Sequence, residues 1–154
     1  MRNTLSTTLH RLWSLPLLFT ALLISGCIGI TQPTNDDITE LSTQYFNKQY
    51  AGLFRVTEAI KDNGYKQNDT HYVAEMTIMA QAERSLDDYA KVMMQDSTLS
   101  AFEKMTNGMA VGLLKMTLPD FVAGDELEFK RDYLFIKTDN GWLLKKELND
   151  ETIN

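Results

Sequence analysis

Few residues in this 154-residue chain carry the chemistry that catalysis needs. Its only imidazoles are His10 and His71, and its only thiol is Cys27. A nucleophilic serine or cysteine needs a base within hydrogen-bond reach, and no Gly-x-Ser-x-Gly elbow occurs. His71 falls where a loop should enter a strand, which suits a partly exposed structural residue. Zinc asks for three or four His, Cys or carboxylate ligands, and no such set is visible. Carboxylates are plentiful, as at Asp87-Asp88 and at Asp125, Glu126 and Glu128. The run from Asp120 to Glu128 lacks the alternating oxygens and distant glutamate of a calcium loop. Asp87 and Asp88 have a sufficient role in the first turn of a helix. Seven of the eight methionines lie between Met76 and Met116, and clustered thioethers can bind Cu(I). Met76 and Met79, however, would project from opposite faces of a strand. Core filling, or an adaptable apolar surface, explains these methionines better. The expectation is a chain without catalytic residues, metal or cofactor.

Cys27 is different because of what precedes it. Arg2, His10 and Arg11 give a basic start, and Leu12 to Ile24 contains no charged residue. A basic segment, an apolar segment and small residues form an export signal. The apolar run, broken by Pro16, is thirteen residues, short of the about 20 a spanning helix needs. The ending Ile24-Ser25-Gly26-Cys27 resembles the bacterial lipobox. That resemblance implies that residues 1–26 are removed and that Cys27 carries acyl chains, palmitate among them. Ile28 follows the cysteine where an aspartate would resemble an inner-membrane retention signal. The implied location is the periplasmic face of the outer membrane. A single acyl chain anchors only marginally, and lipoprotein modification supplies more than one.

Loss of Arg2 and Arg11 with the leader takes the formal charge from −6 to −8. An acidic surface is unsuited to nucleic acid, which needs clustered Lys and Arg. It is equally unsuited to lying on anionic lipid. With no second cysteine the domain cannot hold an internal disulfide, so its apolar core must stabilise it. Residues 27–35 read as the lipidated cysteine and a short tether with Gly29 and Pro33. Residues 36–154 suit one compact domain.

Periodicity predicts the elements. Ile38, Leu41, Tyr45 and Phe46 share a helical face over Asp37 to Tyr50, with Asp36 or Asp37 as cap. Phe54, Val56 and Ile60 begin a strand, and Asp62-Asn63-Gly64 has turn chemistry. The polar stretch Tyr65 to Thr70 reads as loop. Tyr72, Ala74, Met76, Ile78, Ala80 and Ala82 alternate along a second strand. Ser85 caps a helix reaching about Met94. Another starts near Ser97 or Thr98, with Asn107-Gly108 able to end or kink it. Met109 to Leu118 continues as helix until Pro119. Leu127 to Lys137 and Trp142 to Leu148 flank Asp139-Asn140-Gly141, a strong hairpin signal. Residues Asn149 to Asn154 are polar and expected to fray. The predicted class is α+β. A four-stranded antiparallel sheet packs with an N-terminal helix and a two- or three-helix insertion between the strand pairs. In element order this resembles cystatin-like and nuclear-transport-factor-two-like folds, which host enzymes, binders and carriers alike.

Two features of the domain invite a structural test. Glu58, between Val56 and Ile60, and Arg131, between Phe129 and Tyr133, occupy apolar faces, so either the two pair or a strand end or bulge lets each reach water; pairing is the prediction. From Met109 to Leu118 the apolar residues run almost all round a helix, which must then be covered on more than one side. Burial by the other helices is the favoured expectation. An exposed stripe of Phe102, Met105, Met109, Leu113 and Met116 would instead mark a partner or ligand surface. Three functions fit. The first is a non-catalytic, acyl-anchored envelope lipoprotein that binds an envelope protein partner. The second is a carrier of a small apolar ligand or lipid in a sheet–helix cavity. The third is an enzyme using carboxylates and tyrosines such as Tyr72 and Tyr133 there.

Overall fold

A computed structural model describes residues 32–148 of the chain. The leader, Cys27 and the last six residues lie outside them. Helix α1 (Asn35–Gln49) precedes strands β1 (Phe54–Asn68) and β2 (His71–Ala82). Helices α2 (Leu86–Gln95) and α3 (Ala101–Thr117) follow, then strands β3 (Glu126–Thr138) and β4 (Gly141–Leu148). The fold is α+β, with two helices inserted between β2 and β3. All neighbouring strands are antiparallel, in the order β1-β2-β3-β4.

Local chemistry sets the element ends. Thr34, rather than Asp36 or Asp37, caps α1. Its hydroxyl accepts from the Asp37 amide at 3.1 Å, and the Asp37 carboxylate accepts from the Thr34 amide at 3.0 Å. Such a cap is worth about 1 kcal/mol. Ser85 caps α2 by accepting from the Asp88 amide. Ser100 and Glu103 form a second capping box on α3. Asn107-Gly108 neither ends nor kinks α3, which runs unbroken to Thr117. Leu118 caps it ahead of Pro119.

The first hairpin is longer than its polar composition suggests. Asp62-Asn63-Gly64 is not a turn; an irregularity between Lys61 and Asn63 absorbs Asp62, and β1 runs on to Asn68. The turn lies at Asp69-Thr70, where the Asn68 side chain accepts from the Thr70 amide at 2.9 Å. Asn and Asp favour such side-chain-closed turns. Lys66, Gln67 and Asn68 are tolerated because β1 is an edge strand with solvent beside it.

One sheet face holds the core. Tyr72, Ala74, Met76, Ile78, Ala80 and Ala82 of β2 are all buried in it, together with Phe129, Tyr133 and Phe135 of β3. Helix α1 lies against this face through Ile38 and Phe46, both fully buried. Phe46 and Phe54 each place a ring about 5 Å from Phe129, edge to face. Contacts of this kind add about 0.5–1.5 kcal/mol per pair beyond area burial.

Candidate docking helix and the cleft beneath it

Helices α2 and α3 pack against one another, with no fully buried residue in either. Lys115 Nζ lies 3.2 Å from Asp87 and ties the two together. The inner side of α3 carries Val111, Leu114 and Leu118, of which Leu114 and Leu118 pack on the core. Its opposite side carries Phe102, Met105, Met109 and Met116, with Leu113 at the border of the cleft below, all between 56% and 85% exposed. The expected burial of this helix therefore does not occur. A sheet and one helix, α1, already satisfy the core, and α2 offers α3 only one side. The five stripe residues named from the sequence come together on one open surface. Gly108 and Gly112 flank the stripe, and a Cβ added at either meets nothing within 4 Å. They do not serve close packing against the sheet.

Below α3 the surface is concave. Three adjoining clefts of about 480, 520 and 730 Å³ meet at Thr117. Their walls include Tyr50, Leu53 and Leu114, and Arg131 and Glu147 at the floor. Arg131 Nε lies 2.9 Å from the Glu147 carboxylate, with both side chains about one-fifth exposed. The contact is one of charge: Nε makes no aligned hydrogen bond there. One guanidinium nitrogen donates to the Lys130 carbonyl at 2.8 Å and another to Tyr50 Oη at 3.5 Å.

The expected Glu58–Arg131 pair does not form. A bulge between Val56 and Glu58 reverses the alternation of β1, so Ala59 rather than Glu58 or Ile60 turns to the core. Glu58 is exposed on the edge strand. Glu147, opposite Tyr133 on β4, supplies the counter-charge to Arg131 instead. Nothing in the residue types marks that partner, because β4 also contains a bulge, between the pairings of Leu134 and Phe135. A bulge shifts the period-2 pattern by one residue.

Other chemistry-bearing residues have local roles. His71 Nδ1 sits 2.9 Å from Thr70 Oγ1 and 3.1 Å from Asn68 Oδ1, inside the hairpin turn. A hydrogen bond from Lys91, then one from Ser85, holds the Asp88 carboxyl below the usual range. Glu103 is lowered by its bonds to Ser100. Tyr133 is fully buried, its hydroxyl has no hydrogen-bond partner among the described residues, and burial pushes its pKa well above 10. Neither Tyr133 nor Tyr72 is among the residues lining the clefts. Among the described residues no group of His, Cys, Asp or Glu converges as a metal site would need. Nor is any described helix long and apolar enough to cross a membrane. Comparison with protein-family models, curated proteins and solved structures gives no match.

Proposed function

We propose that this chain is a non-catalytic binding protein of the bacterial envelope. Acyl chains on Cys27 hold it at the periplasmic face, in the outer membrane, and α3 presents the surface that docks a protein. The observation that carries the reading is the exposed stripe Phe102, Met105, Met109, Leu113 and Met116. Five large apolar side chains in contiguous helical spacing are costly to leave in water, at roughly 25 cal/mol per Å². Exposed apolar patches of this extent mark interaction sites in soluble domains. The lipobox supports the location, and the acidic surface argues against nucleic acid.

Two experiments in intact cells test it. A photo-reactive residue placed at Met116 is expected to form a protein adduct, and one placed at Asn107, on the inner side, is not. Absence of an adduct at Met116 overturns docking through α3. Separately, Cys27→Ser placed behind an export leader that is cleaved without lipidation is expected to move the protein from the membrane fraction to the soluble periplasm. Undiminished membrane retention would contradict acyl anchoring.

Carriage of a small apolar ligand is a second reading, favoured by the cleft of about 480 Å³ with Leu53, Val111 and Leu114 in its wall. Under that reading Val111→Trp, which narrows the cleft, lowers the amount of apolar ligand extracted from the purified protein. No change would remove the cleft from consideration.

A further inference from the structure

The exposed stripe has a symmetry of its own. About Met109, its members stand at −7, −4, 0, +4 and +7: Phe102, Met105, Met109, Leu113 and Met116. A helix reversed end for end about Met109 presents the same spacing. We propose that α3 pairs with α3 of a second copy, antiparallel, about a twofold axis at Met109. The proposal rests on the docking role of α3 and names its occupant.

In this arrangement Met109 meets Met109 of the second copy, Phe102 lies level with Met116, and Met105 lies level with Leu113. Every stripe residue of one copy thus meets a stripe residue of the other, as an isologous twofold interface requires. A helix lying on lipid calls for a polar side rich in Lys and Arg, and α3 carries only Lys104 and Lys115, beside Glu103. Gly108 and Gly112 leave open space beside the seam, which lets a second backbone come close. Antiparallel pairing also sets the two helix dipoles against one another.

Complete coverage of the stripe would approach the area of a standard interface. At about 200 Å² for a large apolar side chain, the exposures of the five residues leave roughly 700 Å² uncovered. A standard interface takes about 800 Å² from each partner. Two hairpins joined this way form a four-helix assembly, in which the side that α2 cannot cover is covered by the second copy. Acyl anchoring in one leaflet raises the effective concentration of copies.

The test uses the full-length protein. Its only native cysteine is Cys27, so wild type is the background control. Met109→Cys, oxidised in intact membranes, is expected to give a disulfide dimer, and Glu103→Cys, off the seam, is not. In detergent, wild type is expected to have the mass of a dimer. Met109→Asp, which sets two carboxylates on the axis, is expected to weaken association about 100-fold or more with an unchanged circular dichroism spectrum. A monomeric wild type without the Met109→Cys cross-link overturns self-pairing. If the Met116 photo-adduct then contains a different protein, docking through α3 stands without self-pairing. If no adduct forms, both fail. Cross-linking of Glu103→Cys as efficient as that of Met109→Cys also overturns the antiparallel seam.

Discussion

Individual residues in this core are decided by what lies against them. Gly64, on β1 opposite Ala74, has the Tyr72 ring over it. A Cβ there would overlap the Tyr72 hydroxyl and sit 2.8 Å from Cζ. Tyr72 is only 3% exposed, and Lys61 Nζ stands 5.3 Å above its ring, so the ring has little freedom to yield. A strand glycine replaced by alanine usually gains about 0.5–1 kcal/mol. Here the sign should reverse, and Gly64→Ala is expected to lose about 1–3 kcal/mol from overpacking, read by urea unfolding. Tyr133 offers the opposite case. Its buried hydroxyl makes no hydrogen bond among the described residues, and an orphaned buried polar group costs about 1–3 kcal/mol. Tyr133→Phe is therefore expected to stabilise the fold by about 1 kcal/mol at neutral pH. Its pH dependence follows from the raised pKa. In the unfolded chain the phenol ionises near pH 10, while in the folded chain it stays neutral, so stability falls as pH rises above about 10. Tyr133→Phe should reduce that alkaline loss, and an unchanged alkaline slope would contradict the assignment.

At the scale of elements, the sequence made visible whatever depended on local chemistry. The alternation from Tyr72 to Ala82 identifies β2 and its buried face, and Ser85 with Asp88 marks α2. Asn140-Gly141 marks the second hairpin, and Pro119 stops α3. Features that depend on contacts across the fold were less legible. The bulge after Val56 shifts the face of β1, so Glu58 reads as buried when it is not, and the true partner of Arg131, Glu147, sits on another strand. Asp62-Asn63-Gly64 carries turn chemistry but is held in a strand by its pairing with β2. The stripe on α3 was visible as a pattern. Its exposure was not, because periodicity shows that a helix has an apolar side but not whether another element covers it. The same helix gives a direct check. Gly108 and Gly112 lie in an exposed helix with open space beside them. Gly108→Ala is expected to stabilise a dilute, monomeric sample by up to about 1 kcal/mol. A loss would mean that the site is crowded.

Under the proposed function, the described residues divide their apolar surface between two jobs. The sheet face, α1 and the aromatic group around Phe129 form the core. The α2–α3 hairpin adds Tyr89, Leu114 and Leu118 to its edge and presents the rest outward. On this account α3 has a structural side and a docking side, separated by half a turn. The most direct test is a pair of charge substitutions on these two sides, with unfolding midpoints compared at a dilution that keeps copies apart. Met116→Asp, on a residue 85% exposed, is expected to cost no more than about 1 kcal/mol, from helix propensity and a carboxylate in the last turn. Leu114→Asp, on the side packed against the core, is expected to cost about 2–4 kcal/mol, because it places a carboxylate in apolar contacts. If Met116→Asp unfolds the domain as Leu114→Asp does, the stripe is core and α3 is not a docking surface.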